Sequence, residues 1–470
     1  MVVLGSVDII RGLATIRLCD RSQVPESILQ VEMAVTNFAR YPRLVVVELN
    51  EFNPAFLGKM AALIDLPNIR SMLRMSRASS TTDDLVEHQG LDPWVQWVGV
   101  HCGKPTVEHG IRRLAETRAQ TSPQIWHAVA ERGYSWGAWG VMNAPLGAID
   151  GCNFFMPDAW SFDEIAYPPS LNDALALPRY VARNYLEIDR KKAFFAALRL
   201  ARFFAPPAHW SLLARFALTA SRAMLTTGPN VHTFGTLLDY LGVLCFIRLR
   251  ASKRSDLSII FLNHIAHLQH QFWTTDDRPH PEMELGLRLS DAMLGLLLAD
   301  RQPEEAIIVV NGLRQENVAG KGHFVYRQIN PQAAAEAIGV ERGRIEQCMT
   351  NDAHILFEAA EDADRAEELL RNCRLSDGHD AFFVERQGPL RVFYQLAFEH
   401  AVTPETALIC GNYTHPFYEV FQLVCERTGA HVPDGDVFFD GIDIPAKLSN
   451  HEIFHHILDY FPPQLSTRAA

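Results

Sequence analysis

The segment that most constrains the fold is 257–273, an apolar run that ends in a group of polar side chains. Residues 259–262 are consecutive apolar residues, a pattern typical of a strand buried on both faces of a parallel sheet. His267 and His270 follow with a spacing of three, so on a helical turn they share a face. Ligand sites in open α/β sheets lie at the carboxyl ends of strands, and we therefore expect a metal or phosphate site here.

Two further segments repeat this arrangement of a buried strand with a polar end. Residues 44–49 are a mainly apolar strand that ends at Asn50 and Glu51. Residues 305–310 are another strand of the parallel type, and the turn 311–315 follows them. Strands that alternate with helical patterns predict an α/β fold with a mostly parallel central sheet flanked by helices.

Local signals predict several element boundaries. Asn53 before Pro54 is typical of a helix start, with the asparagine as the cap. The segment 76–90 is rich in Ser, Thr, Asp and Gly and is predicted to be a loop. Ser122 is predicted to cap a helix that runs to about residue 132, and residues 134–142 are predicted to form a second core strand.

Residues 165–253 differ from the rest, since they lack strand alternation and are rich in Ala, Leu, Phe and Arg. They predict a helical cap inserted between two strands of the sheet, and this cap is locally basic. One interpretation is a helical bundle with a solvated basic face. The other is a lid, or a surface for an anionic lipid or glycan carrier, with 191–204 as its strongest segment and peripheral membrane contact as its consequence.

The remaining regions divide around this cap. Residues 346–400 predict a small α+β insertion, and residues 1–42 an N-terminal extension without a strong periodic signal. The predicted core then consists of residues 43–164, 254–345 and 401–462.

Composition limits the classes of protein that this chain can represent. Hydrophobic residues make up 48% and charged residues 21%, values that are ordinary for a globular protein. The net charge of −12 argues against a nucleic-acid binder. Eight scattered cysteines without a C-x-x-C pair favour free thiols in a reducing compartment. The apolar start at 1–16 is interrupted by Asp8 and Arg11 and is not a typical signal peptide, so a cytoplasmic protein is expected.

In their order along the chain, these landmarks resemble those of the alkaline phosphatase-like superfamily. The likeness is strongest to its type I phosphodiesterase/nucleotide pyrophosphatase branch and to divergent bacterial members linked to surface-polysaccharide genes. Asn50-Glu51 stands where that family has Asp-Gly, 102–111 matches the end of the nucleophile helix, and His270 and His431 stand at metal-binding histidines. Over most of residues 43–460, the resemblance implies a hydrolase or transferase acting on a phosphorylated small molecule or a glycan-linked phosphate.

The sequence departs from the family at most of the positions that carry its catalysis. By the resemblance, Asn50 replaces one metal-binding Asp, Ala266 replaces another, and Gly312-Leu313 replaces the Asp-His pair. Pro93 stands at the position of the Thr or Ser nucleophile and cannot attack a substrate. Two neighbouring divalent ions need anionic oxygen ligands, so the usual two-zinc mechanism with a covalent phospho-threonine is not expected.

Two interpretations of the histidines stay open. In the first, His267, His270 and His431 bind one divalent metal ion, zinc or manganese, together with Glu51 or Asp92. In the second, no metal is bound, and the histidines form hydrogen bonds to the backbone that stabilise a site without catalytic activity. The chain would then be a pseudoenzyme that serves as a binding or scaffold protein in surface-polysaccharide or related biosynthesis. We prefer the first.

Of the other candidate residues, Asp92 and Trp94 have two interpretations each, and Gln96 and Arg314 have one. Asp92 is a general base or ligand, or the cap of the helix that begins at Pro93. Gln96 stands where the family has an Asn that holds phosphate. Trp94 could stack on a sugar or base, or belong to the core, and Arg314 could bind an anionic group.

Two adjacent residues complete the expected site. Glu51 is expected either to replace the lost carboxylate in catalysis or to favour the following helix through the helix dipole. Asn50, at the end of the first strand, is assigned to substrate binding.

Overall fold

The computed structural model describes residues 42–82, 91–184, 188–276, 278–348 and 351–464. Apart from Pro42, the predicted N-terminal extension lies outside these residues. The strands are β1 (Leu44–Leu49), β2 (Ser76–Thr81), β3 (Trp136–Val141), β4 (Cys152–Pro157), β5 (Leu257–Leu262), β6 (Ala306–Val310), β7 (Arg314–Asn317), β8 (Phe324–Gln328), β9 (Arg344–Gln347), β10 (Asp352–Leu356), β11 (Arg374–Leu375), β12 (Phe382–Arg386), β13 (Arg391–Leu396), β14 (Ala407–Cys410), β15 (Tyr413–Pro416), β16 (Phe421–Glu426), β17 (Gly429–Val432), β18 (Asp434–Asp440) and β19 (Lys447–Ser449).

Helices connect these strands and cover the sheet. They are α1 (Pro54–Leu63), α2 (Pro67–Met72), α3 (Pro93–Cys102), α4 (Thr106–His109), α5 (Ile125–Glu131), α6 (Leu171–Asn184), α7 (Arg190–Phe204), α8 (Trp210–Thr227), α9 (Val231–Ser252), α10 (His264–Phe272), α11 (Pro281–Asp300), α12 (Pro331–Ala337), α13 (Ala360–Arg371), α14 (Phe417–Val420) and α15 (Glu452–Asp459), with short 3₁₀ turns at Thr117–Ala119 and Pro207–His209.

The central sheet has eight strands in the order β19-β2-β18-β6-β1-β5-β3-β4. The strands β6, β1, β5, β3 and β4 run parallel, while β18 is antiparallel to both of its neighbours. Alternate side chains of β1 enter two different hydrophobic cores, one containing Val45 and Val47 and the other Leu44 and Val46. This confirms the predicted α/β class with a mostly parallel sheet flanked by helices.

The register of the three central strands brings their ends together. Leu49 of β1 lies opposite Leu262 of β5, and Glu48 lies opposite Val310 of β6. The turns that follow these strands therefore meet at one edge of the sheet, because parallel strands end on the same side. This edge carries Glu51.

Between β4 and β5 the chain forms the helices α6 to α9, and the residues that the structure describes there contain no strand. The helical content predicted for the cap is therefore present. After β8, the strands β12-β13-β10-β9 form a small antiparallel sheet. A third hydrophobic core runs from Tyr326 to Phe421, which is wider than the predicted α+β insertion.

Several local predictions are wrong. Residues 76–81 form β2 rather than a loop, because pairing with β18 and β19 overrides the turn-favouring composition. The helix after Ser122 begins at Ile125, and its cap is Gln124, whose side chain accepts from the backbone of His127. The strand β4 was not predicted.

The cysteines also differ from expectation. Cys373 and Cys410 form a disulfide, so the expectation of free thiols is wrong for this pair. Among the described residues, no helix combines the length and apolar character needed to cross a bilayer. The cytoplasmic location stays a prediction.

Candidate metal centre

Three potential ligand atoms meet at the edge of the sheet. Glu51 Oε2 lies 2.9 Å from His431 Nε2 and 3.2 Å from His270 Nε2, and the two Nε2 atoms are 3.3 Å apart. Ligand atoms on a tetrahedral zinc ion, at about 2.0–2.2 Å from it, are separated by about 3.3 Å. The three atoms therefore have the spacing of one face of a zinc coordination tetrahedron.

The backbone hydrogen bonds of the histidines orient them toward this point. His270 Nδ1 lies 3.2 Å from the carbonyl oxygen of Gly429, and His431 Nδ1 bonds to the carbonyl oxygen of Leu91. Because a carbonyl oxygen can only accept, each Nδ1 atom carries a hydrogen, and a neutral ring then turns its Nε2 lone pair toward Glu51. Ligating histidines are commonly fixed in this way by a bond from the other ring nitrogen.

Glu51 has an unusual backbone. Its φ of 58° lies in the left-handed region, which costs a residue with a side chain about 1–3 kcal/mol. Hydrogen bonds on both sides of the residue maintain this conformation. The N–H of Glu51 donates to the carbonyl oxygen of Asn311 (3.0 Å), and its own carbonyl accepts from Gln269 Nε2 (2.8 Å). This conformation directs the buried carboxylate toward the histidines. The cap of α1 is Asn53, whose side chain accepts from the backbone of Phe56, as predicted.

The charges of the cluster are coupled. Burial opposes ionisation of Glu51, but the two histidines outweigh it and hold the pKa of this carboxyl well below its usual range. Burial also opposes charging of His431, yet the Glu51 carboxylate raises the pKa of its imidazole. Burial lowers the pKa of His270 to about 4 despite its bond to Glu51. A proton on His431 thus balances Glu51, and a divalent cation could take its place.

Two amides hold the carboxylate of Glu51. Asn50 Nδ2 donates to its Oε1 atom (2.8 Å), and Gln315 Nε2 donates to its Oε2 atom. Asn50 also donates to Asn263 (2.7 Å) and accepts from Trp97 Nε1 (2.7 Å), so its amide is engaged on both sides. Asn50 is therefore placed to position Glu51, and its assignment to substrate binding stays a prediction.

His267 does not join the three ligand atoms. It lies within the first turn of α10, is exposed, and its Nε2 atom meets Asn263 Nδ2 at 3.1 Å. The group of ligand atoms found among the described residues contains Glu51, His270 and His431, and His267 is not part of it. The expected convergence of His267 with His270 and His431 is therefore corrected.

Asp92 lies beside the cluster. It occupies the N-cap position of α3, as one interpretation predicted, although its side chain makes no capping hydrogen bond. Burial raises its pKa to about 7, with His431 opposing the shift and Asp352 adding to it. A carboxyl group with this pKa can accept or donate a proton near neutral pH.

The other predicted residues lie in structural contacts. Gln96 is buried and its Oε1 accepts from Asn450 (3.1 Å). Trp94 is partly buried against the hydrophobic core. Arg314 lies 3.3 Å from Asp434 and 3.8 Å from Asp436, so its guanidinium is paired with carboxylates, and its assignment to an anionic substrate stays a prediction.

Sequence reasoning missed residues that support the cluster. Gln269 was not identified, although a polar residue on the buried side of an apolar helix is a usable signal. Gly429 was also missed: a Cβ there would lie 2.7 Å from the backbone oxygen of Gln269, so only glycine lets the β17 backbone approach. The guanidinium of Arg427 lies near enough to act electrostatically on His270, His431 and Asp92.

A cavity of about 470 Å³ is lined by residues that follow the cluster in sequence. Asn53 and Phe272, each two residues from a cluster member, line it, although the cluster residues themselves do not. Its lining includes the basic residues Lys59 and Arg278 and the acidic residues Asp276 and Glu316. Its size is that of a small-molecule site.

Comparisons with known proteins give structural neighbours only. No family model matches the sequence, and no curated protein matches it. The structural neighbours include phosphonoacetate hydrolase from Sinorhizobium meliloti 1021 in complex with phosphonoformate, at 12% identity and a TM-score of 0.45 over 90% of this chain and 96% of that chain. They also include murine ectonucleotide pyrophosphatase/phosphodiesterase 5 (10%, TM-score 0.41, 89% and 95%) and alkaline phosphatase from the Antarctic bacterium TAB5 (11%, TM-score 0.40, 89% and 98%).

These neighbours are 10–12% identical to this chain, with TM-scores of 0.40–0.45. The chemistry of this chain depends on the side chains described above.

Proposed function

We propose that this chain is a divergent phosphoester hydrolase or transferase with a single divalent metal, zinc or manganese, bound by Glu51, His270 and His431. The observation that carries the proposal is the convergence of three acceptor atoms, with both imidazoles anchored through Nδ1. Two nitrogens and one carboxylate oxygen are a donor set that these metals accept. The remaining positions on such a metal stay open to water or substrate.

The groups at and around the cluster would have separate roles in the proposed reaction. A bound divalent ion would polarise a phosphoryl oxygen and lower the pKa of bound water. Asp92 is the group that accepts the proton, since its raised pKa of about 7 suits a base near neutral pH. Pro93 stands where the related enzymes have a nucleophile, and we infer that water or a substrate hydroxyl attacks directly.

The substrate is inferred from the charge at the cluster. A bound divalent ion would attract an anionic group, and the guanidinium of Arg427 acts on His270, His431 and Asp92, so an anionic group is favoured there. We propose a phosphorylated small molecule or a glycan-linked phosphate. The cavity volume of about 470 Å³ accommodates one or two sugar-sized rings.

A second candidate is a binding protein without turnover. Its support is that a proton on His431 already satisfies Glu51 without any metal. Such a pseudoenzyme would bind the same phosphorylated or glycan-linked compound in the service of surface-polysaccharide or related biosynthesis.

Metal analysis combined with turnover separates the two candidates. Purified protein is analysed for zinc and manganese and assayed with a panel of phosphomonoesters and phosphodiesters. The hydrolase predicts one equivalent of metal that Glu51→Gln removes, together with activity that the same substitution abolishes. His267→Ala is the matched control, because it removes a neighbouring histidine outside the cluster. Tight binding of a glycan phosphate with no metal and no turnover would instead establish the pseudoenzyme.

We further propose that the helical cap contacts an anionic membrane surface. From 190 to 238 the chain has seven Lys and Arg residues and no Asp or Glu. The cap helices also expose large apolar side chains: Phe194 (60%), Phe195 (65%), Leu225 (87%) and Val231 (73%). Apolar side chains among basic ones suit the interface of anionic lipid.

Vesicle flotation tests the membrane proposal. We expect binding to phosphatidylglycerol vesicles that weakens with salt, and little binding to phosphatidylcholine. Phe194→Glu/Phe195→Glu should abolish it, whereas Leu390→Glu, which changes an exposed leucine outside the cap, should not. Equal flotation of all three proteins would exclude the cap as the contact surface.

A further inference from the structure

A second group of potential ligands lies near the protein surface, on the turn after β11 and in the segment after β13. Asp377 Oδ1 lies 3.0 Å from His379 Nδ1, and its Oδ2 lies 3.3 Å from His400 Nε2. One ligand atom from each residue lies within 4.8 Å of the others. We infer that Asp377, His379 and His400 form a second metal site, for zinc or a similar divalent transition metal, independent of the Glu51 cluster.

The first two ligands sit on a tight hairpin turn. The N–H of Leu375 donates to the carbonyl of His379 (2.9 Å), and the N–H of Gly378 donates to the carbonyl of Leu375 (2.8 Å). Gly378 has a φ of 93°, a conformation that glycine adopts without strain. The disulfide from Cys373 ties the base of this turn to β14. The turn is therefore built and fastened before any metal binds.

The third ligand comes from a separate segment that packs on the core. The ring of His400 lies against that of Phe398, with centroids 4.9 Å apart, and Phe398 is buried. The carbonyl of His400 accepts from the Tyr326 hydroxyl (3.4 Å). A metal at this site would join the turn 376–380 to the segment 397–402.

The arrangement of the rings favours a metal over two ordinary ion pairs. The imidazoles of His379 and His400 are tilted by 44° with centroids 4.4 Å apart, and two protonated rings at that distance repel. A metal binds both in the neutral form and brings its own charge to the Asp377 carboxylate. Two imidazoles and one carboxylate suit zinc, nickel or copper more than calcium or magnesium.

The three side chains are largely exposed, and this determines the expected coordination. His379 is 62% and Asp377 40% accessible at the side chain, so solvent can complete the coordination of a bound ion. We therefore assign the site to stabilising the junction of turn and segment.

Zinc stoichiometry tests the inference on the full chain. Metal-free protein is titrated with zinc chloride by calorimetry, and bound zinc is measured after gel filtration. Wild type should bind one more zinc per chain than His379→Ala/His400→Ala, and the extra equivalent should raise the melting temperature of wild type alone. His323→Ala is the matched control, since this exposed histidine pairs with Glu399 (2.7 Å) without a third ligand.

The two metal sites can be separated by the same titration. Glu51→Gln should remove the buried equivalent and leave the surface one, so failure of the proposed function leaves this result unchanged. If His379→Ala/His400→Ala binds as much zinc as wild type and His323→Ala, the site does not exist. Circular dichroism of each variant confirms that the loss of zinc is not a loss of fold.

Discussion

The two carboxylate–histidine groups differ in what surrounds them. In the buried group, Glu51 is held by Asn50 and Gln315, and both histidines are fixed by backbone carbonyls. In the surface group, the side chains of Asp377 and His379 are open to solvent. Similar donor atoms thus occur once in a rigid, low-dielectric setting and once on a hairpin turn. The comparison predicts that substitutions at the buried group change both zinc affinity and the stability of metal-free protein, whereas those at the surface group change zinc affinity and leave the stability of metal-free protein nearly unchanged.

The largest expected effect comes from removing Glu51. Glu51→Ala removes one acceptor from each of the amides of Asn50 and Gln315, which keep only Asn263 and the Ala266 carbonyl, and it removes the partner of the His431 imidazole. We expect a loss of about 3 kcal/mol in the free energy of unfolding of metal-free protein, and no zinc at the buried site. Urea unfolding in EDTA measures the first and zinc titration the second. A loss below about 0.5 kcal/mol would show that the hydrogen bonds of Glu51 do not stabilise the fold.

A smaller effect is expected at Gly429, which supports the cluster without contacting the metal position. A Cβ at this residue would lie 2.7 Å from the Gln269 backbone, so Gly429→Ala forces β17 away from α10. We expect a loss of about 1–3 kcal/mol in stability and a 10- to 100-fold weaker zinc affinity, because His270 loses its anchoring carbonyl. Gly235→Ala is the control, since a Cβ there meets nothing within 4 Å. Equal zinc affinity in both variants would contradict the anchoring role.

Burial should also decide how histidines respond to pH, and His354 tests this away from both groups. Burial, followed by the charges of Arg391 and Arg113, lowers the pKa of His354 to about 3. The unfolded chain therefore binds a proton there that the folded chain does not, between about pH 6.5 and pH 3. His354 should then reduce stability as the pH falls through this window.

The corresponding measurement compares stability at two pH values. Between pH 7 and pH 5, His354→Phe should lose about 1–2 kcal/mol less stability than wild type. His323→Phe, at an exposed position, should follow the wild-type curve within about 0.5 kcal/mol. Parallel curves for wild type and His354→Phe would show that this histidine is not buried in neutral form.

The strands that build the buried group were predictable from sequence because their apolar runs are continuous. The strands predicted at 44–49 and 305–310 agree with β1 and β6 to within one residue. β2 and β4 were missed since their residues are polar or mixed, and only pairing with neighbours makes them strands.

The candidate site was predictable only in part. Glu51 and His270 follow predicted strands, and His431 precedes the last predicted strand. These positions indicate an edge of the sheet. Contacts between residues far apart in the chain, such as those of Glu51 with His270 and His431, are not readable from spacing, whereas spacing alone grouped His267 with His270. The partners of Asn50 and Arg314, Trp97 and Asp434, also lie elsewhere in the sequence.

The smallest expected effect is at the surface group without metal. His379→Ala removes an exposed side chain whose pairing with Asp377 competes with water, so the free energy of unfolding in EDTA should change by less than about 0.5 kcal/mol. With excess zinc, the same variant should be less stable than wild type by the free energy of the lost binding event. Urea unfolding with and without zinc gives both values. A loss of more than about 1 kcal/mol in EDTA would mean that the pair itself stabilises the hairpin turn, and that burial is not what separates the two groups.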